Sequence, residues 1–256
     1  DLFLSGIIPG LIFGFMLCIM VFIKSKKNGW KGETQRASLK EIGRLFLDTI
    51  WGLLSPVIVL GGIYSGLFTP TEAAAVAVVY SLIVGIFIYK ELRLAELKET
   101  LFSTAKTTGM ILLIIMNAGI FSWVLTQQGI AASLTEMALA LTDNKYIMLV
   151  IINIVFLCAG CVMDNTSALY ILVPIIMPIA KALDINMIQL GVILVLNLSI
   201  GQVTPPVGPN LYVAADIGKV KFEEICRKMV PLLLMSLLAL LCITYIPALS
   251  LCLIPS

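Results

Sequence analysis

Histidine is absent from this 256-residue sequence, and charged residues make up only 12% of it. Without histidine, the chain has no imidazole ligand for a metal and no Ser-His or Cys-His catalytic pair. Charge this sparse cannot cover a globular surface, since soluble domains carry about 25% charged residues. These shortages exclude a soluble enzyme, a disordered chain and a nucleic-acid-binding protein.

Signals for metal or nucleotide binding are also scarce. The six cysteines lie mostly in apolar runs, where a free thiol behaves as a small buried hydrophobe. The lone pair Cys158 and Cys161 lacks the second pair that a zinc site needs, and no P-loop pattern occurs. We therefore expect no bound cofactor, and any transport would draw energy from an ion gradient or from another subunit.

Long uncharged runs are abundant, and the chain is 60% hydrophobic with a mean hydropathy of +1.06. The first run, Leu2 to Ile23, is long enough as a helix to cross a hydrocarbon core of about 30 Å. The sequence predicts an all-α integral membrane protein, a multi-span helical bundle. After the first run, the spacing of Leu39, Ile42 and Leu45 predicts an amphipathic helix along the membrane surface, within about 24–50.

The first two interruptions of the apolar runs are modest signals of a site. Two arms of similar length between residues 50 and 89 favour two spans over a shallow hairpin. They meet at Thr69-Pro70-Thr71-Glu72, which has the spacing of a helix capping box, so Glu72 is interpreted as mainly structural. In the span 107–134, we expect two interruptions of the helix, one at Asn117-Ala118-Gly119 and one at Gln127-Gln128-Gly129. Asn117 and Gly119 would serve either packing or a cavity wall.

Two later interruptions are stronger signals. The arms of 146–180 meet at Asp164-Asn165-Thr166-Ser167, and the short second arm, 168–180, predicts a re-entrant hairpin. Residues 188–217 read as a helix broken between Gly201 and Asn210, and a last span closes the chain. Backbone breaks at membrane depth are tolerated only inside protein or beside a cavity, so both interruptions predict a site.

The break after residue 200 contains three prolines within five positions. Because proline lacks an amide proton, three carbonyl oxygens should lose their helical partners, those of Gly201, Gln202 and Pro205. These oxygens and the hydroxyl of Thr204 are hard neutral ligands suited to an alkali cation, and half-helix ends nearby could receive an anion. A proline kink without a ligand is the alternative, but a kink needs only one proline.

Asp164 is an ionisable residue within a membrane segment, where an unpaired charge is costly. It could neutralise a bound cation, while Thr166 and Ser167 offer hydroxyls to the cation or to a carboxylate substrate. The local alternative is that one of the four tip residues caps the following helix. Both interpretations stay open.

Positive charge is unevenly distributed along the chain. If the first helix runs inward, every Lys and Arg except Lys145 and Lys181 lies on the cytoplasmic side, and the C-terminus lies outside. The end of the chain echoes its beginning, as in transporters built from two inverted repeats. We therefore expect the chain to be the later part of a longer polypeptide whose earlier repeat is missing.

Three segments carry a family resemblance. The run 197–212, NLSIGQVTPPVGPNLY, resembles the last broken helix of the large membrane subunit of tripartite ATP-independent periplasmic (TRAP) transporters, and 61–75 and 1–10 are similar to other segments of its C-terminal half. The resemblance implies a sodium-coupled, elevator-type half of an inverted-repeat transporter of the ion transporter superfamily, in the bacterial inner membrane. Its cargo would be an organic acid of the C4-dicarboxylate or sialic acid type.

The resemblance also implies partners and site residues. The partners are a periplasmic substrate-binding protein, a small membrane (Q) subunit, possibly fused upstream, the missing N-terminal half and the lipid bilayer. The implied sodium ligands are Asp164, Asn165, Thr166, Gly201, Gln202, Thr204 and Pro205. The expected substrate contacts are Ser167, Pro206, Gly208 and Asn210.

Three domains follow from the resemblance. Scaffold helices, with the arm helix at about 24–50, would occupy 1–106. A transport domain, 107–218, would contain the hairpin 146–180 and the broken helix 188–217. A closing scaffold helix would occupy 219–256.

Other classes of membrane protein fit the sequence less well. A stand-alone sodium/dicarboxylate or anion carrier of the same superfamily would not depend on a binding protein. A non-transporting structural membrane subunit would not need the three-proline break. A channel would need a continuous polar stripe, and a membrane enzyme would need a denser cluster of catalytic groups than Asp164 and Glu72 provide.

Overall fold

The computed structural model describes residues 2–29 and 38–254. Every regular element in these ranges is helical, and seven helices are long and apolar enough to cross a membrane by length and composition. The predicted all-α membrane protein is therefore confirmed. The chain divides into two compact units, which we call the larger unit (1–30 and 111–256) and the smaller unit (31–110).

Within the described ranges, twelve α-helices follow one another. They are α1 (Leu2–Ser5), α2 (Ile7–Asn28), α3 (Leu39–Tyr64), α4 (Pro70–Ile83), α5 (Leu94–Gln127), α6 (Ile130–Leu141), α7 (Lys145–Val162), α8 (Asn165–Ala182), α9 (Met187–Gly201), α10 (Pro209–Gly218), α11 (Phe222–Tyr245) and α12 (Ala248–Leu251). A π-helical turn, Val84–Ile88, extends α4.

In the smaller unit, α3 packs against α4. The Tyr80 hydroxyl donates to the carbonyl oxygen of Trp51 at 2.6 Å, and the Tyr89 hydroxyl donates to that of Asp48 at 3.1 Å. The arms are 25 and 19 residues long as candidate spans, which fits the two-span interpretation.

The start of α4 is a complete capping box. The Glu72 N–H donates to Thr69 Oγ1 at 3.3 Å, and Glu72 Oε2 accepts hydrogen bonds from the Thr69 N–H and hydroxyl, both at 2.8 Å. Pro70 occupies the first helical position, where no amide proton is needed. The predicted capping box is confirmed, and it gives Glu72 a structural role.

The predicted amphipathic segment does not form one separate helix. Residues 24–28 end α2, and residues from 39 onward are the first turns of α3, which continues without a break to Tyr64. Residues 30–37, which include the predicted cytoplasmic charges Lys31 and Arg36, lie outside the described residues. The placement of the segment along the membrane surface stays a prediction.

The centre of the larger unit is the contact between α7 and α9. Met148, Ile152 and Phe156 of α7 pack with Ile193 and Leu198 of α9, and none of the five is more than 2% exposed. α8 and α11 pack on this pair, and α2 packs on α11. The first and closing helices therefore share a compact unit with the hairpin and the broken helix. The division into scaffold and transport domains at 106 and 218 stays a prediction.

Four buried polar side chains join α7, α9 and α11, a network that sequence analysis did not single out. Asn153 Nδ2 donates to Thr244 Oγ1 at 3.1 Å, and Asn197 Nδ2 donates to Asn153 Oδ1. Gln189 Nε2 donates to the Thr244 carbonyl oxygen at 3.0 Å. All four residues are at most 5% exposed. Their mutual bonds offset a cost of about 1–3 kcal/mol for each polar group buried without a partner.

The expected interruption at Asn117-Ala118-Gly119 is wrong. The helix runs without a break through Asn117 and Gly119 to Gln127. Asn117 stays within it because its Nδ2 donates to the Leu113 carbonyl oxygen at 2.7 Å, one turn earlier. The second predicted interruption, at Gln127-Gln128-Gly129, is confirmed, because α5 ends at Gln127 and the φ of 67° at Gly129 lets the chain turn into α6.

The expected length of the second hairpin arm is also wrong. α8 begins at Asn165, not near Ala168, and its 18 residues equal the 18 of α7. The cause is the cap formed by Asp164, which lets three polar residues join the first turn of the helix. The second arm is therefore not short, and entry of this hairpin from one side of the membrane stays a prediction.

Candidate functional site

Asp164 occupies the tip of the hairpin and caps α8. Its Oδ2 accepts the Ser167 N–H at 3.1 Å, and its Oδ1 accepts the Ser167 hydroxyl at 2.6 Å. The capping interpretation is thus confirmed for Asp164. Each carboxylate oxygen has a further lone pair, and the residue is exposed, so the cap leaves its charge accessible to a ligand.

Asn165 and Thr166 form the first turn of α8 beyond the cap, and both are half-buried. Within the described part of the chain, Asn165 Oδ1 is buried and accepts no hydrogen bond. Leaving such an oxygen unpaired costs about 1–3 kcal/mol. The tip therefore presents an unsatisfied oxygen beside an exposed carboxylate, a combination that favours a cation.

The end of α7 touches both sides of the break in the broken helix. Gly160 and Gly201 meet where α7 crosses α9, and a Cβ added to Gly201 would lie 2.6 Å from the Gly160 Cα. Beyond the break, the Gly208 N–H donates to the Cys161 carbonyl oxygen at 3.1 Å. Because Cys161 lies three residues before Asp164, these contacts bring the two predicted sites together.

The break lies where the prolines predicted it, between the end of α9 at Gly201 and the start of α10 at Pro209. The predicted release of three carbonyl oxygens, however, is wrong for two of them. The Thr204 N–H donates to the Gly201 oxygen at 2.9 Å, and the Asn210 N–H donates to the Gln202 oxygen at 3.2 Å, because the loop turns back on itself. Of the three oxygens, only that of Pro205 accepts no hydrogen bond from the described residues.

Side chains in the loop are also engaged. The Thr204 hydroxyl donates to the Ile200 carbonyl oxygen at 2.7 Å, and Asn210 Nδ2 donates to Gln202 Oε1 at 3.1 Å. The peptide bond between Pro205 and Pro206 is cis. These bonds hold the loop in shape while leaving further lone pairs on the oxygens of Thr204 and Gln202.

Gly208 closes the loop with a φ of 50°, a value that favours glycine. The position that a Cβ would take here lies 2.9 Å from the Thr204 carbonyl oxygen and 3.3 Å from that of Gln202. The two oxygens therefore face one glycine, and a side chain would fill the space between them. Carbonyl oxygens grouped in this way are typical ligands of alkali cations in broken helices.

The structure thus brings every predicted site residue to one region of the larger unit, either in the hairpin tip (164–167) or in the loop 201–210. Pro206 is exposed in that loop. Sequence analysis missed Gly160 and Cys161, which join the two parts through backbone atoms. The available signal was Gly160 itself, a small residue in an apolar helix four positions before Asp164, since small residues let membrane helices approach closely.

Comparisons with known proteins find a matching family and several relatives. A family model described as "Tripartite ATP-independent periplasmic transporter, DctM component" matches residues 1–249. The C4-dicarboxylate TRAP transporter large permease protein DctM of Pseudomonas aeruginosa is 42% identical over 252 residues, covering 98% of this chain and 59% of that protein.

Two further relatives carry other substrates in their names. The isethionate TRAP transporter permease protein DctMQ of Oleidesulfovibrio alaskensis is 40% identical over 247 residues, covering 96% of this chain and 39% of that protein. The sialic acid TRAP transporter large permease protein SiaM of Vibrio cholerae is 36% identical over 250 residues, covering 98% of this chain and 58% of that protein. The chain therefore spans about half the length, or less, of these relatives.

Proposed function

The chain belongs to the family of the DctM component of tripartite ATP-independent periplasmic transporters, and from this premise we propose that it supplies half of a sodium-coupled importer of an organic acid. The names of its relatives, which include C4-dicarboxylate, isethionate and sialic acid permeases, support the class of substrate. A periplasmic binding protein delivers the acid. A small membrane subunit, fused in some transporters as the name DctMQ suggests, completes the permease in the inner membrane, with the C-terminus of this chain in the periplasm.

The observation that carries the proposal is the meeting of the hairpin tip with the broken helix at the end of α7. Around this meeting lie oxygens with free lone pairs: the carboxylate of Asp164, Oδ1 of Asn165, and the carbonyls of Gln202, Thr204 and Pro205. Neutral oxygens suit sodium, which prefers hard ligands, and one carboxylate neutralises a single positive charge.

Sodium binding then prepares the site for the substrate. A bound cation ties the tip to the loop and adds positive charge, so an organic acid approaching Ser167, Pro206, Gly208 and Asn210 is attracted to it. The start of α10 at Pro209 adds the positive end of a helix dipole. In an elevator mechanism the transport domain, which contains the hairpin and the broken helix, moves as one body against the scaffold helices.

Uptake into proteoliposomes tests this proposal. The vesicles hold the complete permease with its small subunit, and labelled organic acids are offered with and without an inward sodium gradient and with and without the purified binding protein. We expect uptake only when both are present. Uptake without a sodium gradient would contradict sodium coupling. Uptake that does not depend on the binding protein would indicate a stand-alone carrier.

Three variants separate the charge of Asp164 from its capping role. Asp164→Ala removes both, and uptake should be lost. Asp164→Asn keeps a good N-cap, so the protein should fold normally while its half-saturating sodium concentration rises at least about tenfold, equivalent to about 1.4 kcal/mol. Asp216→Asn is the matched control, since Asp216 is exposed and pairs only with Lys219 at 3.1 Å. Unchanged sodium dependence in Asp164→Asn would remove the carboxylate from the site.

A further inference from the structure

A cavity of about 370 Å³ lies between α5 and α8, within the larger unit. Its walls are mostly apolar, with Leu113, Ile114 and Phe121 on α5 and Ile171 on α8, and its polar groups come from Asn117 and Ser167. Small-molecule sites are typically of roughly 300–1,000 Å³ and combine apolar walls with a few placed polar groups. Because Ser167 also belongs to the cap of Asp164, the cavity continues the candidate site.

Asn117 brings unused hydrogen-bonding capacity to this cavity. It lies in the uncharged stretch 110–121 of a helix long enough to span a membrane. One Nδ2 hydrogen is donated to the Leu113 carbonyl oxygen at 2.7 Å. The second hydrogen and Oδ1 make no hydrogen bond with the described residues. Because Asn117 is exposed on the wall of the cavity, a polar ligand there would find both a donor and an acceptor.

Ser167 presents a different and more restrictive group. Its single hydroxyl hydrogen is donated to Asp164 Oδ1 at 2.6 Å, and its N–H is donated to Asp164 Oδ2 at 3.1 Å. The hydroxyl oxygen can therefore only accept. A carboxylate has no hydrogen to donate, so it cannot satisfy this oxygen, whereas a substrate hydroxyl can.

We propose that Asn117 and Ser167 select organic acids that carry a hydroxyl group near the carboxylate. The free Nδ2 hydrogen of Asn117 is donated to a carboxylate oxygen, and the Ser167 oxygen accepts the substrate hydroxyl. This inference rests on the proposed function, and it names the class of substrate within the organic acids. A neutral hydrogen bond in an open cavity should give about a fivefold to tenfold preference over the same acid without the hydroxyl.

Direct binding measures this preference without the binding protein, whose own specificity would otherwise interfere. The probes are three hydroxy acids, glycolate, L-lactate and L-malate, and their matched deoxy partners, acetate, propionate and succinate. Each is titrated calorimetrically into the purified permease with its small subunit in sodium buffer. We expect at least one hydroxy acid to bind about fivefold to tenfold more tightly than its partner. Equal binding of both members of every pair, or no binding of any hydroxy acid, would overturn the proposal.

Variants assign the preference to the two residues. Ser167→Ala keeps the backbone bond to Asp164 and should bring the affinity for the hydroxy acid down to that of its deoxy partner. Ser167→Thr, which restores a hydroxyl, should recover the preference. Asn117→Leu, of similar size, should weaken both members of a pair alike, and Asn117→Gln should restore part of the loss.

Controls separate this proposal from simpler explanations. Ser199→Ala removes a hydroxyl that bonds only the Val195 carbonyl oxygen of its own helix, at 2.8 Å, and should leave both affinities unchanged. If Ser167→Ala instead shifts the half-saturating sodium concentration and keeps the preference, Ser167 is a cation ligand and the proposal is wrong. Sodium-driven uptake by the unmodified permease is measured in parallel. Absence of sodium-driven uptake would contradict the proposed function. Normal uptake without any preference for the hydroxy acid would contradict this inference alone.

Discussion

Two short polar segments begin helices in this chain, and they differ in what they leave unpaired. In the smaller unit, Thr69 and Glu72 bond each other in a closed capping box. In the larger unit, Asp164 also caps a helix, but Asn165 Oδ1 stays without a partner. Of the two segments, only the second lies close to the loop 201–210 and lines a cavity with polar groups. A cap alone therefore indicates a helix start. A site is indicated where an oxygen atom beside the cap has no hydrogen-bond partner among the described residues.

The largest effect on uptake should come from moving the hairpin tip away from the loop 201–210. Asp164 would then only cap a helix, as Thr69 does in the smaller unit. In Gly201→Ala, the new Cβ would lie 2.6 Å from the Gly160 Cα, so α7 and α9 must move apart. A displacement near 1 Å can cost about a hundredfold in rate, and we expect uptake to fall by about that factor. Initial uptake rates in proteoliposomes measure it.

The matched control lies in the same helix. Gly191→Ala would bring a Cβ within 3.0 Å of Leu2 Cδ1, the end of a flexible side chain that can move aside. Uptake should stay close to that of the unmodified permease. Normal transport by Gly201→Ala would show that the crossing of α7 and α9 does not hold the site.

The buried network sharpens the comparison, because its side chains bond one another, while Asn197 Oδ1 accepts no hydrogen bond from the described residues. Asn153→Leu removes the acceptor of Asn197 and the donor to Thr244. We expect the free energy of unfolding to fall by about 1–3 kcal/mol, with the half-saturating sodium concentration within about twofold of normal. Thermal unfolding in detergent and a sodium titration of uptake measure the two effects.

Ser236→Ala serves as the control for the network. Its hydroxyl is buried but donates only to the Leu232 carbonyl oxygen of its own helix, at 3.0 Å, so the loss should be below about 1 kcal/mol. A large change in sodium affinity in Asn153→Leu without any loss of stability would make the network part of the cation site.

The smallest functional effect should come from the closed capping box. Thr69→Ala removes the acceptor of the Glu72 N–H and should lower stability by about 0.5–2 kcal/mol, with uptake within about twofold of normal. Thr71→Ala, in the same turn, changes a side chain that makes no hydrogen bond with the described residues, and it should alter neither quantity. A marked loss of uptake in Thr69→Ala at unchanged stability would give this first segment a binding role.

Features that depend on neighbouring residues could be predicted from the sequence. The capping box needs only the spacing of Thr69, Pro70 and Glu72, and the break follows from prolines that remove donors wherever the helix packs. The apolar runs predicted the helices that are long enough to span a membrane. The new hydrogen-bond donors to the carbonyl oxygens in the break were harder to predict from the sequence. The Asn210 N–H, for example, reaches the Gln202 oxygen only after the loop has turned back.

Features that depend on distant residues could not be predicted in the same way. Asn153 and Thr244 lie 91 positions apart, and nothing in their local sequence pairs them. The grouping of α2 and α11 with the hairpin depends on which apolar faces meet, and most helices here are apolar on several faces. For the same reason Asn117 gave two equal interpretations. Only the position of α5 opposite α8 makes it a cavity residue.

The loop from residue 202 to 208 is held largely by its own backbone. The bonds from Gly208 to Cys161, from Asn210 to Gln202 and from Thr204 to Gly201 all use main-chain donors and acceptors. Side chains exposed on the loop can therefore change by mutation without altering the shape of the loop. In evolutionary terms, a lineage could change these side chains without losing the backbone that holds the loop against α7.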